Sequence, residues 1–165
     1  MSRPDARHAR ACGFTLIELM VVLAIITILA LIAMPSMQDK LVRDQIVEAV
    51  RLADIAKAPI AASWSTVQTL PEDNDAAGLP SFDKIVSNLV SAVKVEAGAI
   101  HLTFGNRANK AIHGKTLSLR PAVVEDAPVV PVAWVCGAAQ APDKMTAMGE
   151  NRTDVPVRFL PMNCR

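Results

Sequence analysis

The chain has 165 residues, of which 52% are apolar but only 4% aromatic, and its formal net charge is +1. This length fits one domain with a modest core and an appendage, and the near-neutral charge gives no bulk electrostatic reason to expect nucleic acid or acidic partners. Because aromatic residues are scarce, much of the apolar excess must lie in aliphatic runs.

The N-terminal part of the chain combines a basic stretch with a long apolar run. The run extends from Phe14 to Met34, and its 21 residues contain a single charge, Glu18. A helix of this length spans about 30 Å, the thickness of a bilayer's hydrocarbon core. The arginines that precede it would stay in the cytoplasm and leave the rest of the chain outside. The pattern therefore predicts one transmembrane helix.

Two ordinary interpretations of this run fit it less well. A cleaved signal peptide has an apolar region of about 7–15 residues, followed by a small-x-small cleavage site. This run is longer, and no such site follows it. A simple single-pass anchor fits the length but leaves Glu18 unexplained, because an acid in the bilayer costs about 2–3 kcal/mol.

The letters around Glu18 are more specific than the length of the run. The basic leader, Gly13 and the sequence FTLIELMVVLAIITILALIAMP resemble the N-terminus of type IV pilin precursors of the type IVa class. The resemblance implies that a prepilin peptidase cleaves between Gly13 and Phe14 and methylates the new amine of Phe14. It also implies three parts: a leader at 1–13, an apolar transmembrane and filament-core helix at 14–34, and an exported pilin head at 35–165.

The same resemblance suggests a role for Glu18. In lipid this carboxylate has no partner of its own, but in a filament the cationic amine of Phe14 on a neighbouring subunit could pair with it. Apolar helices gain little hydrophobic energy by leaving lipid for one another, whereas a charge pair at ~4 Å is worth about 4 kcal/mol at an effective dielectric of 20. Desolvation offsets part of that gain. We therefore expect Glu18 to set the axial register in subunit assembly.

Pro35 follows the apolar run. A proline removes one backbone hydrogen bond and clashes with the carbonyl four residues earlier, here Leu31. We expect a helix break at Pro35, either a stop or a kink. The resemblance to type IVa pilins implies that the helix unwinds locally at this point in the assembled filament.

A second helical stretch is amphipathic. Its apolar residues recur at spacings of four and three, which places them on one helix face; they are Val42, Ile46, Ala49, Ala53 and Ala56. We expect this stripe to pack on a sheet as ordinary core. Pro59 should end or bend the helix, and we favour a bend.

Four later segments alternate apolar and polar residues, as strands with one buried face do. Their apolar positions are Val93 and Val95; Ile100, Leu102 and Phe104; Leu117 and Leu119; and Val132, Trp134 and Cys136. The predicted fold class is α+β, with a long N-terminal helix packed on a four-stranded antiparallel sheet.

Two cysteines, Cys136 and Cys164, lie near the C-terminus. In an exported chain a disulfide is the expected state, and two buried free thiols are the alternative. The spellings AWVC and FLPMNC resemble the two ends of the disulfide-bounded loop of type IVa pilins. Loop residues 137–163 are then candidates for contact with surfaces or partners, because exposed loops carry recognition.

Nothing in the sequence predicts catalysis, a cofactor or a metal site. The histidines have no metal-ligand spacing, and no phosphate-binding loop or nucleophile–base arrangement is recognisable. We expect His101 and His113 to lie on the solvent face of strands or loops.

The predicted function is that of a pilin, a structural subunit that forms a helical homopolymer. Its expected partners are other copies of itself, the prepilin peptidase, and the inner membrane with its pilus assembly machinery. The subunit would reside in the inner membrane before assembly and in an extracellular pilus afterwards. Such pili support surface adhesion, twitching motility and DNA uptake. A minor pilin, a pseudopilin of type II secretion and a membrane-anchored periplasmic binding protein stay open as alternatives.

Overall fold

The computed structural model describes residues 13–165, so the predicted leader, with Cys12, lies outside the described residues except for Gly13. The chain divides into two compact units, of which the first ends at Met37 and the second spans Gln38–Arg165. We call the second unit the head.

Two helices open the described chain. Helix α1 runs from Leu16 to Val50 and helix α2 from Asp54 to Val67, with one turn of 3-10 helix at Arg51–Ala53 between them. Helix α2 ends where Gln68 adopts a left-handed conformation and donates its N–H to the Trp64 carbonyl at 3.1 Å. A left-handed residue is a common helix terminator, because it turns the chain while satisfying an end carbonyl.

Neither of the two helix prolines ends a helix. Helix α1 is continuous through Pro35, so the expected stop is not observed in the single chain, and Pro59 lies inside α2, in agreement with the expectation that it does not end the helix. A proline removes one hydrogen bond, and the turns on either side keep theirs. Unwinding at Pro35 in an assembled filament stays a prediction, because it depends on neighbours that a single chain lacks.

An antiparallel sheet forms the other half of the head. The predicted four strands are confirmed, in the order β1-β2-β3-β4, and a short fifth strand pairs with β3. The strands are β1 Val90–Glu96, β2 Ala99–Phe104, β3 Thr116–Val123, β4 Ala133–Cys136 and β5 Thr146–Ala147.

The core lies between the head helix and the inner face of this sheet. Every residue of the predicted helical stripe is at most 2% exposed, which confirms that assignment. The facing strand residues are equally buried: Val93, Val95, Ile100, Leu102, Phe104, Leu117 and Leu119. Burial of this apolar surface is the main source of the head's stability.

The outer face of the sheet is buried as well at its centre, so the predicted solvent exposure of His101 was wrong. His101 is only 4% exposed and Ser118 is fully buried, although both alternate with core residues and so point away from the core. A segment from the C-terminal part of the chain covers them. Ser118 donates its N–H to Thr153 Oγ1 at 3.0 Å, and its hydroxyl accepts the N–H of Arg152 at 2.8 Å.

Strand β5 occupies the position beside β3 that β2 leaves free. Strand β2 pairs with β3 only as far as Leu119, and β5 pairs with Ala122 and Val123. Pro121 lies between the two stretches, where its missing N–H disturbs neither ladder, and its carbonyl accepts the N–H of Met148 at 2.8 Å.

Candidate functional site

The predicted cleavage site lies in open chain. Residues Gly13 to Thr15 precede the first helical residue, and the Phe14 side chain is 82% exposed. A Cβ on Gly13 would meet no heavy atom within 4 Å. The bond between Gly13 and Phe14 is therefore sterically accessible, as a peptidase substrate must be.

Glu18 lies in the first turn of helix α1, next to its cap. The N–H of Glu18 donates to Thr15 Oγ1 at 3.2 Å, so Thr15 caps the helix. A negative charge here is favoured by the helix dipole. Sequence reasoning missed this cap, although Thr15 and Glu18 have the T-x-x-E spacing of a capping box.

The Glu18 carboxylate has no counter-charge within the part of the chain that the structure describes. The residue is exposed, and no lysine, arginine or histidine of residues 13–165 lies within 4 Å of it. The carboxylate is thus free for a group from outside the described chain.

The first unit also exposes a large apolar surface. Its big aliphatic and aromatic side chains from Phe14 to Ile32 are between 44% and 82% exposed. This segment belongs to the single candidate membrane-spanning helix among the described residues, which qualifies by length and composition. An apolar surface of this extent requires a nonpolar environment, either lipid or other apolar helices.

The predicted disulfide is confirmed. Cys136, the last residue of β4, is bonded to Cys164, with 4.5 Å between their Cα atoms. Gly137 follows with φ +57°, and a Cβ on it would meet the Cys164 carbonyl oxygen at 2.6 Å. The two chain segments approach so closely that only glycine fits there.

The loop that the disulfide closes is only partly available for contacts. Residues 137–163 include β5 and the segment around Arg152 that covers the sheet. Within this loop the side chains of Val155 and Phe159 are buried. The predicted contact surface is therefore confined to the exposed positions of the loop.

An electrostatic cluster joins the covering segment to strands β1 and β2. The guanidinium of Arg152 lies 2.5 Å from Glu96 Oε2 and donates to Glu150 Oε2 at 2.9 Å, and Lys94 Nζ is 3.5 Å from Glu96 Oε2. Desolvation opposes ionisation of Glu96, but the attraction of Arg152 and Lys94 outweighs it and lowers the pKa of this carboxyl.

His101 lies beneath this cluster and is the buried titratable group of the sheet. Its Nδ1 is 2.9 Å from Ser118 Oγ, and its Nε2 is 3.9 Å from Glu96 Oε2, beyond hydrogen-bond distance. Burial lowers the pKa of the imidazole, and the Arg152 charge acts in the same direction. The folded head therefore favours the neutral ring.

The described residues hold no group of three or more histidine, cysteine, aspartate or glutamate side chains that could bind a metal ion. The features that stand out are the apolar N-terminal helix with its unpaired acid and the disulfide-bonded head. Both are suited to assembly rather than to catalysis.

Comparison with known proteins agrees with this interpretation. Residues 42–165 match the pilin family of bacterial filaments, and residues 8–34 match the prokaryotic N-terminal methylation motif. The type IV major pilin protein PilE of Neisseria gonorrhoeae is 38% identical over 159 residues, which cover 93% of this chain and 93% of that protein. The PilE1 protein of the same organism is also 38% identical, over 93% of this chain and 86% of its own length. The fimbrial protein EcpC of Eikenella corrodens is 33% identical, over 93% of this chain and 90% of its own.

Proposed function

Since the chain belongs to the type IV pilin family, a family of structural subunits, we propose that it is the principal subunit of a type IV pilus. The subunit is held in the inner membrane by its apolar helix, processed at Gly13 and Phe14, and then polymerised into an extracellular fibre. Its polymer is made of copies of the same chain, with the assembly machinery as a transient partner.

The unpaired carboxylate of Glu18 carries this proposal. Cleavage after Gly13 creates an amine on Phe14, and methylation leaves that amine cationic. Phe14 and Glu18 are four residues apart, so pairing between two parallel copies shifts one helix by about 6 Å along the other. In the nonpolar surroundings of packed apolar helices, an unpaired charge is costly and a pair is favoured. The pairing therefore selects one register.

The confirmed head architecture supports a fibre subunit over the alternatives. A pseudopilin of type II secretion shares the N-terminal motif but usually lacks the C-terminal disulfide loop, and this chain has the Cys136–Cys164 bond. The similar proteins with major-pilin names favour a major over a minor pilin. A membrane-anchored binding protein would not require processing at Gly13.

The fibre's activities follow from its exposure at the cell surface. We propose surface adhesion and twitching motility, with DNA uptake as a further activity, and we assign surface contacts to exposed positions of the loop at residues 137–163. Exchange of residues 143–154 for a neutral linker should reduce attachment of fibres to surfaces. Unchanged attachment with normal fibre amounts would remove the loop from this role.

The decisive experiment is mass analysis of the N-terminus of protein sheared from cells at native expression. We expect abundant filaments whose subunits begin at a singly methylated Phe14. A surface-recovered protein that begins at Met1, or a processed protein that forms no filaments, would contradict the proposal. The proportion of this subunit in the sheared material separates a major from a minor pilin.

A further inference from the structure

The exposed charges of the head are segregated by sign in four of its loops. Residues 105–115 and residues 155–165 contain basic side chains and no acidic ones. Residues 71–80 and residues 124–132 contain acidic side chains and no basic ones. This separation is notable in a chain whose overall charge is close to zero.

The two basic loops lie at one end of the head, beside the start of its helix. Asn109, in the first of them, donates its N–H to Gln45 Oε1 at 2.9 Å. Arg158, in the second, offers its carbonyl to Arg43 Nη2 at 2.7 Å. Both partners, Arg43 and Gln45, belong to helix α1, so we call this region the basic end.

The two acidic loops lie at the opposite end. Residues 71–80 follow helix α2, and the carbonyl of Pro71 accepts the N–H of Gly98, in the β1–β2 turn, at 2.8 Å. Residues 124–132 continue from the end of β3, which the antiparallel register places at the same end of the sheet as that turn. We call this region the acidic end.

The helix measures the distance between the two ends. From Gln45 to Val67 there are 22 residue steps, which correspond to about 33 Å at 1.5 Å per residue. This is several Debye lengths at physiological ionic strength, where the length is about 8 Å. The two ends of one head therefore do not neutralise each other.

The charges at both ends are available. Among residues 13–165 none of the following side chains forms an ion pair: Arg107, Lys110 and Arg158 at the basic end, and Glu72, Asp73, Asp75, Glu125 and Asp126 at the acidic end. All eight residues are exposed. Helix α1 adds Asp39, Asp44 and Glu48 beside the basic loops, and Lys40 and Arg43 partly offset them.

We propose that the basic end of one head contacts the acidic end of another copy of this chain in the fibre. The proposal rests on the proposed function, since it requires a filament. A contact between two different patches of identical subunits is heterologous, and its repetition without closure generates a fibre. The contact gives the heads an electrostatic register of their own, in addition to the one that Glu18 provides among the apolar helices.

Zero-length crosslinking of native filaments tests the contact directly. A carbodiimide joins a lysine to a carboxylate that touches it, and Lys110 is the lysine among the available cations. We expect crosslinked peptides between Lys110 and the segments at residues 71–80 or 124–132, in filaments but not in detergent-dispersed subunits. Filaments that crosslink elsewhere but never between these segments would overturn the proposal.

Charge exchange provides the second test. One variant carries Arg107→Glu with Lys110→Glu, and a second carries Glu125→Lys with Asp126→Lys. Because exposed pairs are individually weak, we expect each variant to lower the yield of sheared filaments by about threefold or more, and the combined variant to restore at least half of it. The matched control exchanges Asp143→Lys and Lys144→Glu, two exposed residues of a loop with mixed charges.

The results also separate this proposal from the proposed function. Membrane levels of each variant show whether it folds and inserts. If wild-type protein forms processed filaments while both charge variants match the control, the contact is refuted and the pilin function stands. If only the basic-end variant loses filaments and the exchange fails to restore them, that end meets a different partner, and the contact is again refuted. If the wild type forms no filaments, the proposed function itself fails.

Discussion

Arg43 on helix α1 donates two hydrogen bonds to the main-chain carbonyl of Arg158, from Nε at 3.0 Å and from Nη2 at 2.7 Å. The two residues are 115 positions apart in sequence. Another arginine, Arg165, donates to the Leu160 carbonyl at 3.0 Å in the same segment. The segment around Arg158 is therefore held to the helix on which the head is built.

We expect Arg43→Ala to destabilise the head by about 1–2 kcal/mol, because a charged donor is removed from a partly exposed carbonyl. Arg43→Lys should recover less than half of the loss, since a lysine cannot make both bonds of the planar fork. The measurement is urea denaturation of the full chain in detergent. Arg107→Ala is the control at an exposed position, and equal effects of both alanine variants would contradict the role given to Arg43.

Removing the disulfide should cost more. For a closed loop of this size the chain-entropy model gives roughly 3–4 kcal/mol, so a Cys136→Ser, Cys164→Ser double variant should unfold at a clearly lower urea concentration. Treatment of the wild type with a reductant should reproduce the shift. A variant as stable as the oxidised wild type would show that non-covalent contacts alone hold the C-terminal segment.

His101 should make the head less stable in mild acid. Its pKa is lowered in the folded state, so the unfolded chain binds a proton first as the pH falls. The stability is then lost below the unfolded value of about 6.5, and the loss continues down to the folded pKa.

Urea denaturation of wild type and His101→Gln from about pH 7.5 to about pH 5 measures this loss, and the slope in the wild type should exceed that in the variant. His113→Gln changes an exposed histidine and serves as the control. A wild-type slope equal to that of His101→Gln would exclude His101 as its source.

Glu18→Gln should leave the subunit in the membrane and abolish or sharply reduce the filaments. The amide keeps the size of the side chain but cannot attract the amine of a neighbour. The measurements are membrane-bound subunit and sheared filament protein from the same cells. Glu48→Gln, at another exposed acid of helix α1, should assemble normally, and abundant normal fibres from Glu18→Gln would eliminate the proposed register.

Two glycines with the same backbone conformation provide a graded test of the close contact beneath β5. Gly149 has φ +80°, and a Cβ on it would lie 2.7 Å from Ala99 Cβ. Gly78 has φ +67° and open space around it. Gly78→Ala should cost about 1 kcal/mol from backbone strain alone, and Gly149→Ala should cost about 1–3 kcal/mol more from overpacking. Urea denaturation of both variants compares them, and equal losses would show that the site at Gly149 relaxes freely.

The inner half of the head is predictable because local patterns determine it. A period of two marks the buried positions of β1 and β2, such as Val93 and Leu102, and a period near 3.6 marks the helix stripe from Val42. The N-terminal motif by itself indicates the family, the apolar helix and the acidic residue within it. The cap at Thr15 also has a recognisable local spacing, but the long apolar run that follows is the stronger signal and obscures it.

The outer half is not predictable, since it depends on distant segments. Ser118 and His101 look like solvent-facing strand residues, and only the chain around Arg152, 34 positions after Ser118, buries them. Strand β5 has two residues, too few for any alternation. Neither feature leaves a local signal, because the contacts that create them are made by residues far apart in sequence.

The bond between Cys136 and Cys164 has a consequence for life outside the cell, where secreted endoproteases act. A single cut within the loop at residues 137–163 would not release a fragment, because both pieces stay joined through the two sulfur atoms. A nicked subunit keeps its place in the molecule and parts into separate peptides only in a reducing environment. The covalent link thus makes the most exposed portion of the head tolerant of proteolytic damage for as long as its surroundings stay oxidising.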